Sequence, residues 1–130
     1  MAMVDAAAKR QGQTWRREDH TIVVSLGQTG RMQEIQLEVA GADYVLTSVV
    51  LGTTAVTKSR TRWEELALLA WQRNADQQLV TFAFDRKDRL VGQIRHPRDT
   101  LDMEELELYV NALAWDGDRF EYLLSGADTN

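Results

Sequence analysis

The chain has 130 residues, 44% of them hydrophobic and 27% charged, with a net charge of −5 and no cysteine. That length supports one core, no apolar run reaches the ~18 residues of a membrane span, and disulfides, thiol catalysis and thiolate metal sites are excluded. The acids gather at one end, nine Asp or Glu in residues 99–130 against Arg119 alone, whereas phosphate-backbone binding needs clustered Lys and Arg.

Residues 1–14 are rich in Ala, Gln and basic groups. They hold no apolar stripe, so a flexible N-terminal segment is expected, with a turn or two of frayed helix over Ala6 to Arg10. The same stretch lacks the continuous apolar core of a signal peptide, which points to the cytoplasm.

A strand is expected from Trp15 to Leu26, where Thr21, Ile22, Val23 and Val24 are β-branched. The turn Gly27-Gln28-Thr29-Gly30 leads to a return strand, Arg31 to Val39, with Ile35, Leu37 and Val39 on one face. A second turn, Ala40 to Asp43, leads to a third strand, Tyr44 to Leu51, and such short links make an antiparallel meander.

Gly52 to Lys58 reads either as a loop or as the end of that strand. Thr61 with Glu64 has capping-box spacing and opens a helix from Arg62 to about Ala75. Trp63, Leu66, Ala67 and Ala70 can face the sheet, but Leu68 and Trp71 lie on another side of the cylinder. They are assigned to a homodimer contact, the alternative being burial beneath the C-terminal helix.

Gln78 to Pro97 alternates with a period of two on either side of the polar turn Asp85 to Arg89. In a symmetric register Phe84 faces Leu90, Phe82 covers Gly92 and Val80 meets Ile94, with Pro97 ending the second strand. Asp102 with Glu105 caps a helix of about twenty residues. Its stripe is Leu106, Val110, Leu113, Gly117, Phe120 and Leu124, with a kink or break expected at Asp116-Gly117-Asp118. Glu104, Glu107, Asn111 and Asp118 are expected to form an acidic face for a basic partner segment.

The fold class is therefore α+β, in the order βββ-α-ββ-α, with helices on one face of an antiparallel sheet of about five strands. Catalytic signals are sparse. His96 beside Asp99 or Asp102 could serve as a general base, but two histidines without ligand spacing make no metal site. The glycine pair Gly27 and Gly30 is no phosphate loop. No catalytic, cofactor-binding or metal-binding residues are assigned, and an enzyme is not expected. The alternative is a small-molecule-binding domain or weak enzyme using His96 and nearby carboxylates.

Residues 78–126 resemble the bacterial YbjN-like family, whose domains share the type III secretion chaperone-like fold. The resemblance lies in the aromatic strand, the Asp-rich turn, Leu90-Val91-Gly92, Thr100-Leu101-Asp102 and Glu121-Tyr122-Leu123-Leu124. It reaches the first three strands by element order. It implies one domain over 15–126 with a short tail at 127–130, and a small, acidic, usually dimeric protein that binds other polypeptides. Secretion chaperones of this shape begin with an amphipathic helix, where this chain has the polar, alanine-rich stretch Val4 to Gln13.

Overall fold

Six antiparallel strands form one sheet in the order β1-β2-β3-β4-β6-β5, in a computed structural model that describes residues 2–26, 30–52, 63–76 and 79–125. The elements in chain order are α1 (Ala2–Gln11), β1 (Trp15–Glu18), β2 (Thr21–Ser25), β3 (Met32–Ala40), β4 (Asp43–Leu51), α2 (Trp63–Asp76), β5 (Thr81–Phe84), β6 (Leu90–Pro97) and α3 (Met103–Ser125). A one-turn 3₁₀ segment, Gly12–Thr14, joins α1 to β1. The expectations for Gly27 to Gly30, Gly52 to Lys58, the Thr61 cap and the 127–130 tail fall wholly or largely outside the described residues.

The sheet has one strand more than expected, because the run from Trp15 to Leu26 is a hairpin and not a single strand. Glu18 pairs with Thr21 across a two-residue turn, and Asp19 adopts a positive φ of 54°. Asp tolerates this left-handed conformation better than most residues, so a turn forms without glycine.

Residues 2–11, expected to fray, form a docked helix. Val4 and Ala7, one turn apart, are buried against the core, and α1 packs on both β1 and α3. Met3 and Ala8 pack against the core beside them, a face of small and flexible side chains that the surrounding Ala, Lys and Arg obscured in the sequence.

All three helices lie on one face of the sheet. Leu66 and Ala70 of α2 and Leu106, Val110, Leu113 and Phe120 of α3 join Ile22, Val24, Ile35, Leu46, Phe82 and Ile94 in a single core. On β3 the expected apolar face is only partly covered: Ile35 is buried, Leu37 half-buried and Val39 exposed.

The β5–β6 hairpin has the expected register, with Phe82 opposite Gly92 and Phe84 opposite Leu90. Val80 precedes the first paired residue and is buried. A Cβ on Gly92 would come within 3.1 Å of Phe82 Cε1, so the ring occupies the space a larger residue would need. Phe82 also meets Phe120 edge to face, with centroids 4.9 Å apart. Asp85 closes the turn by accepting hydrogen bonds from the Lys87 and Arg89 backbone N–H groups and from Arg89 Nε at 2.7 Å. Burial raises its pKa, but these donors outweigh that and hold the carboxyl below its usual range.

Asp102 and Glu105 form the expected reciprocal cap: Glu105 N–H donates to Asp102 Oδ1 at 2.7 Å, and Asp102 N–H donates to Glu105 Oε1 at 3.2 Å. The helix then runs unbroken through Gly117. A side chain there would touch the Ser48 hydroxyl at 3.4 Å, so glycine lets α3 lie close against β4.

The packing of Phe82 predicts that Phe82→Ala lowers unfolding free energy by about 3–5 kcal/mol. Urea denaturation measures it, and a loss below about 1 kcal/mol would contradict the ring's place in the core.

Candidate protein-interaction surfaces

The four residues expected to form an acidic face on α3 do not share one exposed surface. Glu104 is exposed, Asn111 is half-buried, and Glu107 and Asp118 are buried. A buried carboxylate needs donors to replace its water shell, and the chain's own N-terminal half supplies them. Asp118 accepts a bidentate pair from Arg31, with Nε–Oδ1 and Nη2–Oδ2 both at 2.9 Å. The same hydrogen bonding pushes the Arg31 guanidinium above its ordinary pKa. Gln11 Nε2 donates to Glu107 Oε2. The other oxygen, Oε1, lies 3.3 Å from Arg10 Nη2, within ion-pair range but outside hydrogen-bond geometry. Asn111 Oδ1 accepts from Trp15 Nε1 at 3.1 Å.

Gln33 extends this polar stripe. It donates to Glu121 at 3.1 Å and accepts from the Ser48 hydroxyl at 3.1 Å. The sequence could not assign it, because an isolated Gln on an alternating strand says nothing about what lies opposite.

His96 is a cross-link between β6 and α3. Its Nδ1 lies 2.8 Å from the Tyr109 hydroxyl, its Nε2 is 3.0 Å from Thr100 Oγ1, and the carboxylate beside it is Glu105 at 3.8 Å, not Asp99 or Asp102. Burial, and then the charge of Glu105, raise the Tyr109 pKa. Both ring nitrogens are thus engaged within the chain. Among the described residues no three His, Asp or Glu side chains converge as a metal site, and no helix is long and apolar enough to cross a membrane.

Among the clefts of the described residues, two lie against β2, β3 and β4. One of about 310 Å³ lies on the uncovered sheet face between Arg16, Val23, Glu34, Gln36, Thr47 and Val49. The other, about 240 Å³, lies between α1 and the ends of β2, β3 and β4, lined by Val4, Arg17, His20, Ile22, Leu37 and Tyr44.

Large apolar side chains are exposed on two helices. On α2, Leu68 is 53% and Trp71 68% exposed, so α3 does not cover them within the protomer. On α3, Leu108, Trp115 and Tyr122 are each about half exposed, and Leu123 with them. Their spacing of seven was visible in the sequence but was hidden behind the stronger core stripe.

The ties at Glu107 predict that Glu107→Ala loosens α1 while the sheet stays intact. Native-state hydrogen exchange should show amides of residues 4–11 exchanging at least about tenfold faster with β3, β4 and β6 unchanged. Unchanged α1 amides would contradict the clamp.

No family model and no curated protein sequence matches the chain. Solved structures do. A chain of the heterodimeric ExoU–SpcU complex from the type III secretion system of Pseudomonas aeruginosa has a TM-score of 0.63 at 17% identity, covering 95% of this chain and 98% of that one. YbjN of E. coli has a TM-score of 0.60 at 12% identity, covering 98% and 92%. A chain of the Yersinia pestis type III secretion chaperone SycH complex with a fragment of YscM2 has a TM-score of 0.55 at 12% identity, covering 95% and 98%. The chain therefore has the fold that YbjN shares with these secretion complexes, as the resemblance of residues 78–126 implied.

Proposed function

We propose that this chain is a non-enzymatic, protein-binding module, chaperone-like or regulatory, that acts as a homodimer through α2. The observation that carries the dimer is the pair Leu68 and Trp71, one turn apart on the solvent side of a helix whose other side, Leu66 and Ala70, is buried. Tryptophan is enriched in the buried centres of interfaces. Leu69 on the same helix is also exposed.

The protein-binding reading is supported by the fold. SycH is a secretion chaperone crystallised with a protein fragment, and ExoU–SpcU is a heterodimer. The engagement of both His96 nitrogens supports a structural role for that residue over a catalytic one.

Trp71→Glu tests the dimer. Light scattering should report a dimer for the native chain and a monomer for the variant, with an unchanged far-UV circular dichroism spectrum and a lower urea midpoint, because the dimer's association no longer stabilises the fold. A variant that stays dimeric, or one that unfolds, would contradict the assignment of Trp71 to the interface.

A further inference from the structure

We infer that the outward face of α3 belongs to the same homodimer contact as α2, and that it packs antiparallel against α3 of a second copy. The inference rests on the dimer reading and adds a surface, a direction and residue pairs. Glu104, Leu108, Trp115 and Arg119 are exposed along one side of α3, opposite Leu106, Val110 and Leu113, which are buried in the core. Steps of four, seven and four residues keep the exposed set on one side of the cylinder.

The order of these residues selects the occupant. A twofold contact is isologous, so if residue i touches residue j of the second copy, j also touches i. About an axis between Asn111 and Ala112, Leu108 falls opposite Trp115 of the second copy and Glu104 falls opposite Arg119 of the second copy, because the members of each pair are equidistant from that point. An acid at one end and a base at the other match in the antiparallel direction, whereas parallel packing sets acid against acid and base against base. The face is thus its own complement. Asn111 and Ala112 at the crossing are small, which lets the two helices approach closely. The Leu108 and Trp115 pairs form the apolar centre. The charge pairs lie at the exposed rim, where they set direction more than strength. Tyr122, over which Arg31 stacks at 5.3 Å, lies beyond the mirrored span.

Helices α2 and α3 present their apolar residues the same way. Arg73 of α2 stacks over Phe120 of α3 at 5.1 Å. Leu68 and Trp71, like Leu108 and Trp115, are exposed on the side of their helix opposite its buried residues. A twofold axis across α3, between two such helix layers, keeps each α2 on the same side as its copy, so one interface covers both apolar faces. Neither part alone has the area of a stable interface, so Trp71→Glu still yields a monomer.

The chain has no cysteine, so single cysteines report the contact in the full chain. Ala112→Cys lies next to the axis, whereas Tyr122→Cys lies about 31 Å from its copy along the helices, at 1.5 Å per residue. A short bismaleimide should link Ala112→Cys into covalent dimers and leave Tyr122→Cys unlinked. In sedimentation equilibrium, Glu104→Arg and Arg119→Glu should each weaken the native dimer about tenfold, and the two together should restore it to within about twofold of native. Recovery separates a pair across the interface from a helix damaged by either change alone. A dimer that Trp71→Glu dissociates but that is not linked at 112 overturns the α3 contact and keeps the α2 reading. Linking at 122, or charge reversals without effect or without recovery, overturns the antiparallel pairing. A native chain that stays monomeric overturns both the pairing and the dimer reading.

Discussion

Two carboxylates on α3 are taken out of water, and the placement of the N-terminal third of the chain answers to that. Asp118 draws Arg31 at the start of β3, and Glu107 draws Arg10 and Gln11 at the end of α1. Removing a carboxylate from water is costly unless it is paired and hydrogen-bonded, so these contacts orient more than they stabilise. The favourable energy comes from the apolar stripe on the adjoining side of α3, where Leu106, Val110, Leu113 and Phe120 close the core over β3, β4 and β6. The helix thus has three sides: one that holds the sheet, one that holds α1 and β3 through charge, and one that faces solvent.

What the sequence made legible was local. The Phe82 and Gly92 register follows from alternation about a turn whose Asp85 is its own hydrogen-bond acceptor, and the Asp102–Glu105 cap depends on two residues three apart. What escaped was long-range or had no strong local mark. The charge asymmetry between the two ends of the chain was countable, but that Arg31 would reach Asp118, 87 residues away, was not. The acidic face was therefore read as open to a partner, when most of its charge is met inside the protomer. The hairpin at Asp19 escaped for the opposite reason, since Arg16 to His20 is polar throughout and has no glycine to announce a turn.

Both edges of the sheet are guarded, which bears on how a partner could bind. At β5, Asn74 of α2 donates to the Phe82 carbonyl at 2.8 Å and accepts from the Phe82 N–H at 2.6 Å, so one side chain stands in for a neighbouring strand. At β1, Arg16 pairs with Glu18 and Arg17 with Asp5, and charged side chains along an edge strand oppose strand addition. Asp5, hydrogen-bonded by Arg17, is held below its ordinary pKa. Large apolar side chains are exposed on α2 and α3.

Helix α3 carries two kinds of acid, those that clamp the fold and those left to solvent. Chemical denaturation of Asp118→Ala, Glu104→Ala and Asp116→Ala measures the difference most directly. Loss of the Asp118 carboxylate should cost about 1–3 kcal/mol, whereas each of the other two should change stability by less than about 0.5 kcal/mol. Equal effects from all three would contradict the division, and with it the reason α1 and β3 sit where they do.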